Sequence, residues 1–340
     1  MNVLVTGGCG FIGSNFIHYF NKKYPHHKVL NVDKLTYAGN LENLKGLERR
    51  RYYKFVKADI CNARVMKDVF EKTRPDTVIN FAAESHVDRS VVSAAPFLKT
   101  NFLGVSVLLN LSLQYKVGRF LQISTDEVYG SILRGRFTEE SMINPSSPYA
   151  ASKTAADALV ISYYKTHGLP VLITRSSNNY GPYQFPEKLI PLTIINALGD
   201  KKIPIYGDGM NIRDWLYVED NCAAIDLVLQ HGRIGEIYNI AGENELTNMY
   251  VIKRILRYLR KDKSLMTCVA DRPGHDRRYA LSINKMKRQL GWYPKTSFEV
   301  GIKKTIDWYS KHKRWLKSTQ TGEYRHFYKK YYTQLGLTQI

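Results

Sequence analysis

Short apolar runs and helical periods alternate along the first half of the chain. Residues 2–6 form a β-rich run too short for a helix, and apolar residues at 12, 16, 17 and 20 then recur at a helical period. Further strand-like runs stand at 28–32, 52–56, 77–81, 119–124 and 171–175, with helical patterns at 62–73, about 94–115 and 148–167 between them. Strands and helices alternating at this spacing predict an α/β fold, a doubly wound parallel sheet with helices on both faces. Beyond residue 176 the pattern turns irregular and rich in Pro and Gly, which predicts a smaller mixed α/β C-terminal lobe. The expected division is 1–176 for the first domain, 177–310 for the second lobe with some chain returning to the first, and 311–340 for a basic, tyrosine-rich tail. No internal repeat is visible.

Two helices are distinctive. The 148–167 helix has Ser147 to cap it, Pro148 at its first position, Gly168 at its end and Pro170 beyond. The 97–113 segment is apolar nearly all round, through Phe97, Leu98, Phe102, Leu103, Val105, Val107, Leu108, Leu109, Leu111 and Leu113. A helix hydrophobic on every side needs cover on every side. One face can pack on the sheet; the other calls for a partner subunit or for the second lobe. A homodimer through helices near 97–113 and 148–167 is therefore expected.

The 340 residues are 44% hydrophobic and 24% charged, which excludes a disordered or low-complexity chain. No uninterrupted apolar run approaches the ~20 residues of a membrane span, so no membrane is expected. The start of the chain lacks the basic and apolar regions of a signal peptide. Cys9, Cys61, Cys222 and Cys268 form no CxxC pair, which suits a reduced, cytoplasmic protein that binds no metal. The net charge of +20 favours anionic partners. The basic residues are nevertheless spread, with modest densities at 49–51, 253–263 and 311–317, so a solvated surface explains them equally well and nucleic acid is not expected.

Gly7-Gly8-Cys9-Gly10-Phe11-Ile12-Gly13 lies where the first strand turns into a helix. Gly7 and Gly10 would allow a tight turn and bring backbone N–H groups to a pyrophosphate, and Gly13 would let helix and strand pack closely. Asp33 ends the second β-rich run twenty residues after Gly13, where a carboxylate accepts both ribose hydroxyls and repels a 2′-phosphate. A capping or turn role for Asp33 is the bland alternative. In this register the pattern predicts a Rossmann-type domain that binds NAD rather than NADP, although Lys34 weakens the exclusion of NADP.

Tyr149 and Lys153 stand one turn apart on the 148–167 helix. A Lys ammonium beside a phenol favours the phenolate, which suits proton abstraction during hydride transfer. Thr125, Asp126 and Glu127 follow an apolar strand at its carboxyl end, where α/β sheets bind ligands. Adjacent carboxyls there can act as one acid and one base. The competing reading of that triplet is a turn or helix start.

Several segments together are similar to one family. They are Ala82-Ala83-Glu84-Ser85-His86-Val87-Asp88, Ser124-Thr125-Asp126-Glu127-Val128-Tyr129-Gly130, Asn178-Asn179-Tyr180-Gly181-Pro182, Phe185-Pro186-Glu187-Lys188-Leu189-Ile190-Pro191, Arg213-Asp214-Trp215-Leu216-Tyr217-Val218-Glu219-Asp220 and Asp271-Arg272-Pro273-Gly274-His275-Asp276-Arg277-Arg278-Tyr279. From Met1 to about Tyr309 the chain resembles the nucleotide-sugar 4,6-dehydratases of the extended short-chain dehydrogenase/reductase superfamily. Within that family its local motifs look more like those of the branch acting on dTDP-glucose, but the enzymes acting on UDP-glucose share most of them, so both nucleotides stay open. The Asp126–Glu127 pair sets this family apart from the related 4-epimerases, which are the main rival. A non-catalytic NAD-binding regulator with affinity for nucleic acid is a more remote one.

The resemblance implies roles. Tyr149 would take the proton of the sugar C4 hydroxyl, Glu127 the C5 proton, and Asp126 would protonate the departing C6 hydroxyl. Thr125 would bond the C4 oxygen, and Lys153 would hold the nicotinamide ribose and tune Tyr149. NAD would also touch Phe11, Ile12, Asp33, Lys34, Leu35, Thr36, Asp59, Ile60, Phe81, Ala82, Ala83, Glu84, Ser85, Thr100 and Asn179. The nucleotide sugar would touch Ser85, Asn178, Lys188, Leu189, Pro204, Ile205, Tyr206, Arg213, Asn248, Asp271, Arg272, Pro273, Gly274 and His275. Arg213 and Arg272 suit a diphosphate, and the 204–206 segment could supply part of a wall for a pyrimidine. Outside the resemblance, Cys9 reads as a small filler without a helping base. Tyr324, Phe327, Tyr328, Tyr331 and Tyr332 lie among charges in the tail, and the charged segment 42–51 has no assigned role.

Overall fold

The computed structural model describes residues 1–271, 274–319 and 333. Six strands follow the expected order: β1 (Asn2–Thr6), β2 (Lys28–Asp33), β3 (Tyr53–Lys57), β4 (Thr77–Asn80), β5 (Arg119–Thr125) and β6 (Val171–Ser176). A seventh, Ile237–Ile240, joins beyond β6, so the sheet runs Ile237–Ile240, β6, β5, β4, β1, β2, β3, all parallel. The strand order reverses between β1 and β4, which opens a crevice at the carboxyl ends of those strands. The seventh strand lies 61 positions after β6 and its four residues carry no strong period, which is why pattern alone did not single it out.

Both faces of the sheet are covered. Phe16, Ile17 and Phe20 of the Phe11–Lys23 helix pack on one face together with Cys222, Ile225 and Leu229 of Val218–His231. Met66, Val69 and Phe70 of Ala63–Thr73 cover the other with Val105, Leu108 and Leu109, and with Ala156 and Val160 of Pro148–His167. Removing a Leu- or Phe-sized side chain from such a core typically costs about 2–5 kcal/mol.

The second lobe is mixed, as its irregular sequence suggested. Ile212–Tyr217 pairs parallel with Asn178–Tyr180 and antiparallel with Glu245–Thr247, while Met266–Val269 lies parallel to Ile203–Tyr206. Its core holds Tyr180, Ile190, Ile194, Trp215, Val251, Ile255, Phe298 and Ile302. The 42–51 segment now has a place: Leu44 and Leu47 are buried, and Asn43 receives the Trp315 indole N–H at 2.6 Å. The tail aromatics from Tyr324 to Tyr332 lie outside the described residues.

The 94–115 stretch departs from the expected single helix. It runs as Ala95–Leu98, a π-helical Lys99–Gly104 and Val105–Gln114. The wide turn presents Asn101, which accepts from the Glu84 backbone N at 2.9 Å and donates to the Glu84 carbonyl at 3.0 Å and Ser152 Oγ at 2.9 Å. The second lobe does not cover the outer face: Leu98 is 50% and Leu103 55% exposed. Among the described residues, burial under the second lobe, the rival to a partner subunit, is not found. By length and composition alone Ala95–Gln114 could cross a membrane, contrary to the reading of apolar runs, yet 44% of it is buried in this fold.

Candidate active site

The first βα turn builds the floor of a cleft. Gly7 has φ +70°, and a Cβ there would collide with the backbone of Ala82; a Cβ at Gly13 would strike the Gly7 carbonyl. These two glycines carry the close approach, whereas Gly10, with φ −77°, is needed for space rather than for backbone freedom. Gly10 caps the Phe11–Lys23 helix without a side-chain bond, so its first N–H groups face the cleft, as anion binding requires.

Asp33 is buried at the end of β2 and accepts from the backbone N of Cys9 at 2.9 Å and of Leu35 at 2.8 Å. Burial raises its pKa, and these two bonds oppose the rise. Leu35 is held at φ +58°, a strained region for a bulky residue, and this turns the chain round the carboxylate. Lys34 is engaged by Asp59 at 2.8 Å. Burial first, and the charge of Asp33 second, push the Cys9 thiol up to about 12, in keeping with its reading as a filler.

The residues assigned to the dinucleotide line this cleft, except Leu35 and Asn179. Leu35 packs on the core and acts through its backbone. Asn179 donates to the Ser177 carbonyl at 2.9 Å, and its Oδ1 is buried without a hydrogen bond among the described residues. The glycine cradle, the open helix end and the acceptor at Asp33 fit a dinucleotide with a free ribose. Gln184, Phe185 and Glu187 also line the cleft, an involvement the residue-by-residue reading missed. Their proximity in sequence to Lys188 was the available signal.

Deeper in, Tyr149 occupies the first turn of Pro148–His167, which is fixed by Ser147 Oγ accepting from Ala150 N at 3.1 Å. Thr125 Oγ1 accepts from Glu127 N at 3.3 Å, starting the turn Asp126–Tyr129 and setting both carboxyls at the end of β5. A buried ionic tie couples these elements. Asp157, on the same helix as Tyr149, receives Ser124 Oγ at 2.9 Å and Arg175 Nε at 2.9 Å, while Arg175 Nη1 donates to Tyr129 Oη at 2.9 Å. Sequence reasoning missed Asp157 and Arg175, because their charges look like ordinary surface residues until β5, β6 and the helix are brought together.

The environment separates the two carboxyls. Asp126 is buried, its Oδ1 accepts from Thr125 Oγ1 at 3.2 Å, and its Oδ2 is without a hydrogen bond among the described residues. Burial first and the charge of Glu127 second raise its pKa well above the carboxylate range, with Arg213 opposing. These surroundings favour the protonated form of Asp126. Glu127 is partly exposed beside it.

The expected tuning of Tyr149 by Lys153 is not what the geometry holds. Lys153 Nζ donates to the Ile123 carbonyl at 2.6 Å, and burial depresses its pKa to about 8. The Tyr149 phenol is raised by burial and then by the charge of Glu127, while a hydrogen bond with Thr125 lowers it. The reason is physical: the charges that dominate around the phenol are carboxylates, and the ammonium is spent on a strand carbonyl.

The residues assigned to the sugar nucleotide converge from the second lobe. Lys188 and Ser85 line the cleft and are joined, Lys188 Nζ to the Ser85 carbonyl at 2.9 Å. Buried Arg213 donates to the carbonyls of Ile212 and Asp276, and its guanidinium lies 4.3 Å over the Tyr279 ring. Asn178 and Asn248 each carry a buried Oδ1 without a hydrogen bond among the described residues. Tyr206 meets His275 edge-on at 6.0 Å, and His275 Nδ1 pairs with Asp271 at 2.6 Å. Gly274 has φ +65°, next to this group. Pro204 and Ile205 are buried, and Ile205 packs in the lobe core with Leu189 against it, while Tyr206 is only partly buried. Arg272 and Pro273 lie outside the described residues.

Comparison with known proteins agrees with this geometry. The sequence model of the GDP-mannose 4,6 dehydratase family matches residues 4–305. A dTDP-glucose 4,6-dehydratase of Shigella flexneri is 48% identical, over 96% of this chain and 97% of that one. A solved dTDP-glucose 4,6-dehydratase of Bacillus anthracis in complex with NAD is 50% identical, with a TM-score of 0.88, covering 94% of this chain and 99% of that one. A UDP-glucose 4-epimerase of Thermotoga maritima shares the fold (TM-score 0.86) at 32% identity, covering 92% and 99%.

Proposed function

Because this chain belongs to the GDP-mannose 4,6 dehydratase family, within the extended short-chain dehydrogenase/reductase superfamily, we propose that it converts dTDP-glucose to the 4-keto-6-deoxy sugar and water. The observation that carries the reading is the pair at the end of β5: a buried Asp126, its pKa raised by that burial, adjoining Glu127 and within reach of Tyr149 through Thr125. A 4-epimerase needs no such acid.

The groups then divide the proton transfers among them. Tyr149 accepts the proton of the C4 hydroxyl, and Thr125 bonds the same oxygen. NAD, when bound, supplies the hydride acceptor at C4, the hydride donor at C6 and the positive charge that favours a phenolate beside it. The 4-ketone acidifies the C5 proton, which Glu127 removes. Asp126 protonates the C6 hydroxyl, which leaves as water, and Glu127 returns its proton to C5. The proton gained by Tyr149 replaces the one given by Asp126, so the cycle consumes no net proton. Arg213 faces the diphosphate, Lys188 the junction of the two lobes, and Lys153 holds the ribose of the dinucleotide. The exposed face containing Leu98 and Leu103 is the dimer surface in this reading.

Purified protein offered dTDP-glucose and, separately, UDP-glucose tests the proposal by mass spectrometry. The expected product of dTDP-glucose is lighter by about 18 mass units with no net reduced cofactor, and conversion of UDP-glucose is slower. A product of unchanged mass would make the enzyme an epimerase.

A further inference from the structure

Three segments far apart in sequence meet beside the dinucleotide cleft through residues that the chemistry above does not use. Glu187 comes from the second lobe, lines the cleft and has a side chain only 6% exposed. His86 and Arg89 come from the segment after β4: His86 Nε2 is 3.4 Å from Glu187 Oε2, and Arg89 Nε is 4.0 Å from it. Tyr37 comes from the loop after β2, the loop that bears Asp33. The Arg89 guanidinium lies 4.0 Å over its ring, and that ring meets Phe185 edge-on at 5.5 Å. Two further bonds join the second lobe to the 85–89 segment: Lys188 Nζ to the Ser85 carbonyl at 2.9 Å and Tyr206 Oη to Asp88 Oδ2 at 3.3 Å.

We propose that Glu187, His86 and Arg89 form an ionic latch that closes the second lobe over the bound dinucleotide and sets the rate at which it leaves. The inference rests on the dinucleotide assigned under the proposed function. A carboxylate removed from water and held against the Arg89 guanidinium and the His86 ring is costly to separate from them, because opening leaves a buried charge without its partners. The latch joins the lobe that holds the sugar to the segment after β4, and Arg89 in turn packs over Tyr37 of the loop that holds the ribose. A dinucleotide must therefore part these groups to escape. Release is not on the path of a reaction that regenerates its cofactor every turnover, so a slow exit costs no rate.

The latch is also sensitive to pH. Burial pushes Glu187 up to about 7, and Asp88 raises it too; Lys188, Arg89 and the Tyr37 hydroxyl oppose them, and His86 faces it from the same side as Arg89. Above that value Glu187 is ionised and the latch holds. Below it the carboxyl is neutral and the latch loosens, so dinucleotide release accelerates as pH falls.

The test is the dissociation of radiolabelled NAD from loaded protein into excess unlabelled NAD, at about pH 6 and about pH 8. Wild type should release faster at the lower pH. Glu187→Gln should release about tenfold or more faster than wild type at the higher pH, a change of about 1.4 kcal/mol, and lose the pH dependence. His86→Gln should also release faster, and the double variant no faster than the faster single one, because the residues act as one unit. Release within about twofold of wild type in both single variants, or strictly additive effects, would overturn the latch. If Glu187→Gln fails to fold, as read by circular dichroism, His86→Gln decides alone. Conversion of dTDP-glucose by wild type is scored separately: a protein that follows the latch predictions and converts no sugar would sink the dehydratase reading and leave the latch standing.

Discussion

At the scale of single residues the account turns on two neighbouring carboxyls in unlike surroundings. Asp126 is raised by burial and by Glu127, and a carboxyl that must donate a proton works only while protonated. Activity should therefore fall on the alkaline side as Asp126 ionises, and Asp126→Asn should lose that limb together with most of the turnover. Glu127→Gln should stall after oxidation at C4, so reduced nicotinamide accumulates on mixing with dTDP-glucose; a colourless mixture would move the base elsewhere. Tyr149→Phe should lower turnover ~10²–10⁴-fold, the usual contribution of a positioned acid or base. These residue types were legible in the sequence, since a Thr-Asp-Glu triplet after an apolar strand and a Tyr–Lys pair on a capped helix are local signals. The tuning was not legible. Lys153 donates to the Ile123 carbonyl, and only the packed sheet shows which charges surround the phenol.

Elements hold these groups in register, and the Asp157–Arg175 pair is their joint. It links β5, β6 and the Pro148–His167 helix, with side chains 3% and 5% exposed. Breaking a buried pair typically costs about 3–5 kcal/mol because one charge is left behind. Asp157→Asn should lower urea stability by an amount of that order and also reduce turnover, through the loss of Ser124 and Tyr129 as anchors. Loss of the Ser147 cap in Ser147→Ala should cost ~1 kcal/mol in the same titration. The six strands with alternating helices were readable because period and turn residues are local. The Ile237–Ile240 strand and the π-helical turn at Lys99–Gly104 were not, since each exists to satisfy a partner distant in sequence: an open sheet edge in one case, and the Glu84 backbone in the other.

For the whole molecule, the uncovered apolar face and the source of the excess charge remain the features with consequences in solution. Leu98 and Leu103 project from the Ala95–Gln114 stretch at 50% and 55% exposure. In the proposed dimer they are covered by the same surface of a second copy, as two-fold symmetry requires. Leu103→Arg should then shift sedimentation from dimer to monomer; an unchanged dimer would assign the interface to another surface. The +20 net charge needs no nucleic-acid partner when the substrate and cofactor are both anionic diphosphates. The central claim is that one active site removes hydride from C4 and returns it to C6 while water departs between. The most direct measurement follows dTDP-glucose carrying deuterium at C4. The account predicts a product that has lost water and holds the deuterium at C6 of the same sugar. Deuterium lost to solvent, or back at C4 in a product of unchanged composition, would contradict it.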